Sequence, residues 1–284
     1  MPLTNELILP RPPDSMRPDR PEVISDLAHG QTVLLDIGVT FVSLVGSQNN
    51  ARNLTTGIVT LEPLANLTYH LHPFAESVTV LRGEVLAEVR GRRYTLHEFD
   101  NLVVPRQTAH HVTNTCPTQP TVLHVAMGTT SLNRAPVDES FDVEKIPDDF
   151  SGYRGPERVT RLKFARYYEL GVNTAFVDYF NINLLPDIEM SGGYGRFQPG
   201  SRLPAHVHDF DESICIIEGT ATCVVEGKRY YLSDCSTALV PRGRVHFFTN
   251  ETDTPMGMIW VYAGPRPTRL IVDERCATMP GWVW

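Results

Sequence analysis

Residues 203–212 read LPAHVHDFDE and place His206 and His208 two positions apart, with Glu212 four positions further along the chain. Successive side chains on a β-strand point to opposite faces, so these three residues would share one face of an unbroken strand. A second stretch, LTYHLHPFAE at residues 67–76, repeats the same spacing. Buried imidazoles and carboxylates are costly unless a partner satisfies them, and a divalent cation can satisfy all of them at once.

The spacing recurs because the chain contains an internal repeat. Adding 136 to the residue numbers of 61–114 gives the matching residues of 197–250, and 19 of the 54 pairs are identical without any gap. Only two copies are present, and the period is long, so we interpret the repeat as a duplicated domain rather than a solenoid. The 284-residue chain is long enough for two domains that each bury a core.

The composition predicts that each copy is an all-β domain. Short runs such as SVTVLRGEVLAEV and SICIIEGTATCVV are rich in β-branched residues, and Gly, Pro, Asn or Asp turn signals separate them. The 22 prolines and 20 glycines are many for a helical protein. This pattern is typical of a β-sandwich or a β-barrel.

The distribution of proline and charge predicts the domain boundaries. Residues 1–21 contain six prolines and form a predicted arm on the surface or across a partner subunit, and residues 22–134 form the N-terminal domain. The acidic segment 135–159 is a predicted solvated linker. Residues 160–284 form the C-terminal domain, whose tail ends in Trp282 and Trp284, which we expect to pack on the barrel or at a dimer contact.

Several classes of protein are disfavoured by the sequence. A net charge of −8 with interleaved acids and bases offers no basic face for nucleic acid. The chain has no run of eighteen apolar residues and no signal-peptide pattern at its start, so we expect no membrane partner. Its five cysteines are odd in number and scattered, which favours reduced thiols. We therefore expect a cytoplasmic protein.

A third imidazole joins each group further along the chain. His246 lies at the same parity as Asn250 in PRGRVHFFTN, and His110 occupies the equivalent place in the first copy. Three nitrogen ligands and one oxygen suit Fe, Mn, Ni, Co, Cu or Zn and leave coordination positions open for chemistry. The alternative is a set of ordinary histidines, but six of the ten histidines recur at matching places in the two copies.

These segments resemble the two conserved motifs of the cupin family, G(x)5HxH(x)3E(x)6G and PxG(x)2H(x)3N. GSRLPAHVHDFDESICIIEG and PRGRVHFFTN match them fully, whereas the first copy has Leu64 and Gln107 at two glycine positions, which puts its turns in question. The resemblance implies two tandem double-stranded β-helix (jelly-roll) barrels with a metal inside each. It implies one ligand set of His70, His72, Glu76 and His110, and a second of His206, His208, Glu212 and His246.

Four further residues need an interpretation. His111 is adjacent to His110, but the 136-residue offset pairs it with a phenylalanine, so we favour His110 as the ligand. His124 is paired with Trp260 by the same offset and is interpreted as a packed or supporting histidine. We interpret Arg106 and Arg242 as surface residues that fix a tight turn.

The resemblance leaves the reaction open. Oxalate decarboxylase-like bicupins carry an arginine three residues before the first histidine, and this chain has Leu67 and Leu203 there. We therefore favour a quercetin dioxygenase-like enzyme that uses O2 on a small enolizable or phenolic substrate, with Fe or Mn favoured and Glu76 or Glu212 accepting a proton. A non-oxidative isomerase, lyase or aminohydrolase is the alternative, and a non-catalytic binding protein is a weaker one.

A homo-oligomer is also expected, because β domains leave open sheet edges. The apolar residues that we expect around the two sites are Leu67, Phe74, Leu203, Phe210, Phe248 and Trp260.

Overall fold

The structure is a computed structural model that describes residues 7–281, so the two terminal tryptophans and the first six residues of the predicted arm lie outside it. In chain order the elements are η1 (Asp14–Met16), β1 (Val23–Ser25), β2 (Gln31–Asp36), β3 (Val39–Val45), η2 (Ser47–Asn49), β4 (Thr55–Leu61), β5 (Asn66–Leu71), β6 (Glu76–Arg82), β7 (Val85–Val89), β8 (Arg92–Leu96), β9 (Asn101–Val104), β10 (His110–Thr113), β11 (Thr121–Met127), β12 (Ala135–Pro136) and β13 (Glu144–Lys145). They continue with β14 (Gly152–Tyr153), β15 (Arg158–Thr160), η3 (Leu162–Phe164), β16 (Thr174–Phe180), β17 (Ser191–Phe197), β18 (His206–Val207), β19 (Glu212–Glu218), β20 (Thr220–Val225), β21 (Lys228–Ser233), β22 (Thr237–Val240), β23 (His246–Thr249), β24 (Met256–Tyr262), β25 (Leu270–Ile271) and α1 (Arg275–Thr278).

The prediction of an all-β fold with two tandem jelly rolls is confirmed. The chain divides into an N-terminal unit, residues 29–165 and 182–189, and a C-terminal unit, described residues 7–28, 166–181 and 190–281. Each unit contains two sheets of mostly antiparallel strands, which is the arrangement of a jelly roll.

In the N-terminal unit an eight-stranded sheet has the order β14-β15-β9-β6-β11-β4-β3-β2, and a six-stranded sheet has the order β12-β5-β10-β7-β8-β13. Apolar side chains from both sheets meet in one core, which includes Val78 and Leu123 from the larger sheet and Leu67, Val89 and Val112 from the smaller. Strand alternation places these residues on the inner faces, so the space between the sheets is apolar.

The C-terminal unit repeats this plan. One sheet has the order β1-β22-β19-β24-β17-β16 and the other has the order β21-β20-β23-β18-β25. Its core includes Ile214 and Met258 from the first sheet and Val207, Cys223 and Phe248 from the second. The burial of these inward-facing residues explains why the β-branched and aromatic runs of the sequence form strands here.

Residues 22–28, which we predicted to open the N-terminal domain, belong instead to the C-terminal unit. Strand β1 pairs with β22, with Val23 opposite Leu239. The buried carboxylate of Glu22 accepts hydrogen bonds from the Lys228 ammonium at 2.8 Å and the Tyr230 hydroxyl at 2.7 Å. The described part of the predicted arm, residues 7–21, belongs to the same unit, and the Leu9 N–H donates to the Ile271 carbonyl at 3.0 Å.

The segment 135–159, predicted as a solvated linker, also contributes to the fold. It supplies β12, β13, β14 and most of β15 to the two sheets of the N-terminal unit. Ile146 and Glu157 within it are buried. The Glu157 carboxylate accepts hydrogen bonds from Arg92 at 2.5 and 2.8 Å and from the Tyr94 hydroxyl at 2.5 Å. The acidic composition of the segment did not indicate that the Glu157 carboxylate is buried and paired with Arg92.

The two copies keep the same turn shape at the positions where the first lacks glycine. Leu64 and Gln107 have φ angles of 61° and 58°, and their counterparts Gly200 and Gly243 have φ angles of 75° and 83°. Residues with a Cβ pay a steric cost in this left-handed region. The departures from the motif therefore introduce local strain without changing the turns.

The offset between the copies changes from 136 to 135 after the third histidine. The connection between β10 and β11 spans residues 114–120, whereas that between β23 and β24 spans 250–255 and is one residue shorter. Consequently Val125 and Trp260 are equivalent, since Val125 pairs with Val78 and Trp260 with Ile214. The predicted pairing of His124 with Trp260 is therefore wrong by one residue.

No helix within residues 7–281 is long and apolar enough to cross a membrane.

The buried guanidinium of Arg161 should be important for the stability of the N-terminal unit. It donates to the Asp100 carboxylate and the Thr95 carbonyl, each at 2.6 Å, and to the Phe150 carbonyl at 3.1 Å. Substituting Arg161→Met would leave Asp100 buried without its partner, and we expect a loss of about 3–5 kcal/mol in unfolding free energy, measured by urea denaturation followed by circular dichroism.

The control is Arg154→Met, which removes an exposed ion pair with Glu144 and should cost less than about 1 kcal/mol. Equal losses in the two variants would contradict the assignment of a structural role to the buried pair.

Candidate metal centres

The N-terminal group draws its side chains from both sheets. His70 lies on β5 and pairs across the strands with His110, the first residue of β10. His72 follows the end of β5, and Glu76 begins β6 in the other sheet. One nitrogen or oxygen from each of these four residues lies within 4.8 Å of the other three. The histidines and the carboxylate therefore meet because the two sheets face each other.

The C-terminal group has the same construction. His206 on β18 pairs with His246 on β23, His208 follows β18, and Glu212 begins β19 in the facing sheet. The Oε2 atom of Glu212 lies 2.8 Å from Nε2 of both His208 and His246. Because a loop separates each HxH pair from its glutamate, strand parity alone does not explain the position of the carboxylate.

Backbone carbonyls fix the orientation of all six rings. A carbonyl oxygen only accepts a hydrogen bond, so each Nδ1 carries a proton, and in the neutral ring Nε2 then presents its lone pair to the group. The six Nδ1 to oxygen distances lie between 2.7 and 3.0 Å, and the acceptors are the carbonyls of Thr68, Asn133, Thr108, Pro204, Phe210 and Arg244.

The orientation of the histidine rings tests whether a metal ion fits between the four donors. Two acceptor atoms 2.8 Å apart, such as Nε2 of His208 and Oε2 of Glu212, repel each other unless a cation or proton lies between them. In the N-terminal group Nε2 of His72 is buried with no hydrogen-bond partner among the described residues. Ligand atoms at right angles on bonds of about 2.1 Å would be about 3.0 Å apart, close to the spacing seen. Both groups fit a divalent metal ion.

The electrostatics of the groups favour a neutral imidazole at His70 and at His206, beside ionised carboxylates. Burial, followed by the charge of His110, lowers the pKa of His70 to about 3. Burial alone would raise the pKa of Glu76, but the contact of its carboxylate with His110, 2.9 Å away, and the other imidazoles lower it to about 2. In the C-terminal group burial lowers the pKa of His206, and the histidines outweigh burial to lower that of Glu212. These are the protonation states that metal ligands require.

An apolar cavity of about 420 Å³ opens onto the N-terminal group. Leu67 and Phe74, both predicted to surround the site, line it together with residues such as Val125 and Met127. Apart from the four donors, its only charged or polar lining residue is Arg134. The cavity can therefore accommodate a hydrophobic molecule whose polar end reaches the donors.

The C-terminal cavity is smaller, about 240 Å³, and more polar. The predicted residues Leu203, Phe248 and Trp260 line it. Phe210 is instead stacked on His208, with ring centroids 5.1 Å apart and an interplanar angle of 5°.

Tyr262 also lines the C-terminal cavity, and it is the structural counterpart of Met127. Burial and the nearby charge of Glu212 raise the pKa of the Tyr262 phenol well above its usual value. A neutral hydroxyl is therefore present in the second cavity where the first has a thioether.

The remaining predicted histidines lie outside the two groups. His111 contacts Asn66 and Glu88 through its two ring nitrogens, at 3.1 Å each, and does not join the donors. His124 is buried on β11, and desolvation lowers its pKa to about 4. Neither belongs to a group of four donors among the described residues.

The motif arginines bond to other parts of the fold. Arg106 forms an ion pair with Glu189, and Arg242 forms one with Asp209. Neither lines the two cavities that adjoin the donor groups.

Sequence reasoning missed the two arginines that do line the cavities. Pro136 pairs with His70 and Ile271 with His206, so Arg134 and Arg269 each lie two residues before the partner of the first histidine. Their numbers differ by 135, so the 136-residue offset could not align them. A one-residue gap in the repeat alignment would have been the signal.

Comparison with known proteins supports this description. The family model described as a cupin domain matches the chain twice, at residues 57–127 and 193–262. No curated protein matches the sequence.

Among solved structures, oxalate decarboxylase from Lactobacillus farciminis in a formate complex has a TM-score of 0.70 and 13% identity, covering 92% of this chain and 91% of that chain. Oxalate decarboxylase from Bacillus subtilis at pH 4.6 has a TM-score of 0.69 and 14% identity, covering 92% and 81%. A further structure of the Bacillus subtilis enzyme, described for its Mn(II) centres, has a TM-score of 0.70 and 14% identity, covering 92% and 82%.

At identities this low, the structural matches establish a common fold only. The two family matches coincide with the two repeats and contain both HxH pairs. The chain therefore belongs to the cupin superfamily and is a bicupin.

Proposed function

We propose that this bicupin is a metal-dependent dioxygenase acting on a small enolizable or phenolic organic substrate. The observation that carries the proposal is the apolar wall of the N-terminal cavity, which extends to the four donors. An aromatic or aliphatic body would pack against Phe74 and Val125, while the enol or phenol oxygen faces the donors.

The proposed roles of the donors follow from their geometry. Three imidazoles and one carboxylate hold the metal in each unit, the sets being His70, His72, Glu76 and His110, and His206, His208, Glu212 and His246. Bound there, a divalent Fe or Mn ion would stabilise an enolate or phenolate and supply the redox chemistry that a reaction with O2 requires.

Glu76 is the proposed proton acceptor of the N-terminal site, and Glu212 is its counterpart. Each is ionised because neighbouring imidazoles lower its pKa, so each can take a proton from a substrate hydroxyl or acidic C–H. The apolar residues around Glu76 exclude water and strengthen its interaction with the substrate.

The second candidate is non-oxidative chemistry, an isomerase, lyase or aminohydrolase reaction on a small polar metabolite. The observation that favours it is the polar lining of the C-terminal cavity, where Tyr168, Asp178, Tyr262 and Arg269 all face a volume of about 240 Å³. Retention of both complete donor sets disfavours a non-catalytic binding protein.

Metal content tests the ligand assignment directly. Protein purified without chelator and reloaded with divalent ions should hold two metal ions per chain, measured by inductively coupled plasma mass spectrometry. His72→Ala and His208→Ala should each remove one, because each deletes one ligand of a different set. His111→Ala is the matched control, since this neighbour of His110 lies outside the donors. Protein that holds no metal ion at either site after reloading would contradict the proposal.

Oxygen consumption separates the two reaction classes. With flavonols, diketones and gentisate-like phenols as candidate substrates, we expect uptake of O2 that a chelator abolishes and added metal restores. Glu76→Gln should lower kcat by about 10²- to 10⁴-fold by removing the proton acceptor. His111→Ala, which leaves both donor sets intact, serves as the control. Turnover that continues without oxygen would support the non-oxidative alternative.

We also propose that the protein is a cytoplasmic homo-oligomer. None of the five cysteines, all of which lie among the described residues, forms a disulfide bond, as expected in a reducing compartment. Strand β2 is the outer strand of its sheet and exposes apolar side chains there, with Leu34 70% and Ile37, just beyond the strand, 90% exposed. An exposed apolar edge of this kind is suited to pairing with another copy.

Light scattering tests the oligomer. The native protein should have a mass that is a multiple of the 31.8 kDa chain. Leu34→Lys with Ile37→Lys should reduce it to the mass of one chain without loss of metal, because two charges disfavour burial of this edge. Val172→Lys, at another exposed apolar position, should leave the mass unchanged. A native mass of one chain would contradict the proposal.

A further inference from the structure

The C-terminal cavity contains hydrogen-bond donors that the protein itself leaves unused. Arg269 lines this cavity together with His206, Glu212 and His246. Its guanidinium has five N–H groups, but the described residues receive only one hydrogen bond from it, to the Leu170 carbonyl at 3.3 Å. No carboxylate among the described residues forms an ion pair with it. A partly buried arginine in this condition favours an anionic partner.

Trp260 supplies a second unused donor. Its side chain is 4% exposed and lines the same cavity, and its indole Nε1 has no hydrogen-bond partner among the described residues. An indole N–H can only donate, so a ligand that satisfies it must present an acceptor atom. Leaving such a buried donor unpaired is unfavourable, and this cost disappears if a bound group accepts from it.

Besides the donor Glu212, one acidic residue, Asp178, lines the cavity, and its oxygens are already engaged. The Asp178 carboxylate accepts a hydrogen bond from the Tyr168 hydroxyl and another from the Asn181 amide at 2.9 Å. The guanidinium of Arg269 therefore remains available for a ligand.

We infer that the C-terminal cavity binds a small organic carboxylate, with Arg269 and Trp260 as the residues that recognise its anionic group. Leu203, Ile214 and Met258 form an apolar part of the remaining wall, so the ligand should be a monoanion with a compact apolar or aromatic body. The inference refines the proposed metal-dependent function by naming the ligand class of the second site, but it concerns binding and does not depend on turnover.

The first repeat provides the matched control. Arg134 occupies the place of Arg269 by strand register, but it is exposed and donates to the Leu35 carbonyl at 2.7 Å. The counterpart of Trp260 is Val125, which offers no donor. The two cavities therefore share a metal-type donor set and differ in their capacity to hold an anion.

Binding of protocatechuate and of its neutral carboxamide to the metal-loaded protein tests the inference. The two molecules have the same catechol and nearly the same size, so a difference in their affinities reports the carboxylate. Isothermal titration calorimetry under anaerobic conditions prevents oxidation during the measurement. The variants are Arg269→Met, Arg269→Lys, Trp260→Phe and the control Arg134→Met, each checked for metal content and circular dichroism.

The native protein should bind the acid at least about tenfold more tightly than the amide. Arg269→Met should remove most of this preference while leaving the affinity for the amide within about twofold, and Arg269→Lys should retain part of it because the charge remains. Trp260→Phe should reduce the preference by about threefold or more, since it removes the N–H and keeps the ring. Arg134→Met should leave the preference unchanged.

Three results would overturn the inference: no tighter binding of the acid than of the amide by the native protein, an unchanged preference in Arg269→Met, or an equal loss in Arg134→Met. The outcome is separate from that of the oxygen test. An arginine-dependent preference without any oxygen uptake would support this inference while defeating the dioxygenase proposal.

Discussion

The structure depends on how each barrel accommodates three imidazoles and a carboxylate inside an apolar core. These groups are almost fully buried, and taking them out of water is costly unless something replaces the lost hydration. The fold supplies half of the replacement, because backbone carbonyls accept from every Nδ1 and hold the rings in position. The inward lone pairs are left for a cation. Stability and metal binding are therefore coupled, since the inward lone pairs that would bind a metal are also the groups whose burial is most costly without a partner.

Much of this could be predicted from the sequence because the signals were local. The HxH spacing and the repeat with its 136-residue offset pointed to the donors, and turn signals between β-branched runs indicated an all-β fold. The jelly roll itself followed from the resemblance to the cupin motifs. The positions of the glutamates were harder to predict, because Glu76 and Glu212 reach the group from the facing sheet rather than along the same strand. Only a long-range arrangement of strands, which local periodicity does not encode, brings them there.

The sequence could not predict what the cavities contain. The connection before β24 is one residue shorter than its counterpart in the first repeat, which shifts the correspondence between all later residues of the two copies. Trp260 therefore lines its cavity, whereas His124 lies on the other face of β11. The same shift hides the correspondence between Arg134 and Arg269. Conserved spacing near the donors and altered spacing beyond them are consistent with two copies that kept one metal chemistry while their walls diverged.

The path of the chain shows why the duplicated halves are not separable segments. The C-terminal sheet is extended by β1, which comes from the beginning of the chain, and the Arg20 guanidinium donates to the Asp211 carboxylate at 2.8 and 2.9 Å. Asp211 immediately precedes the donor Glu212, so an N-terminal residue helps to fix the loop between the HxH pair and its carboxylate. A fragment beginning at residue 160 would lose this ion pair and expose the edge of β22. The second site therefore requires the start of the chain as well as its own repeat.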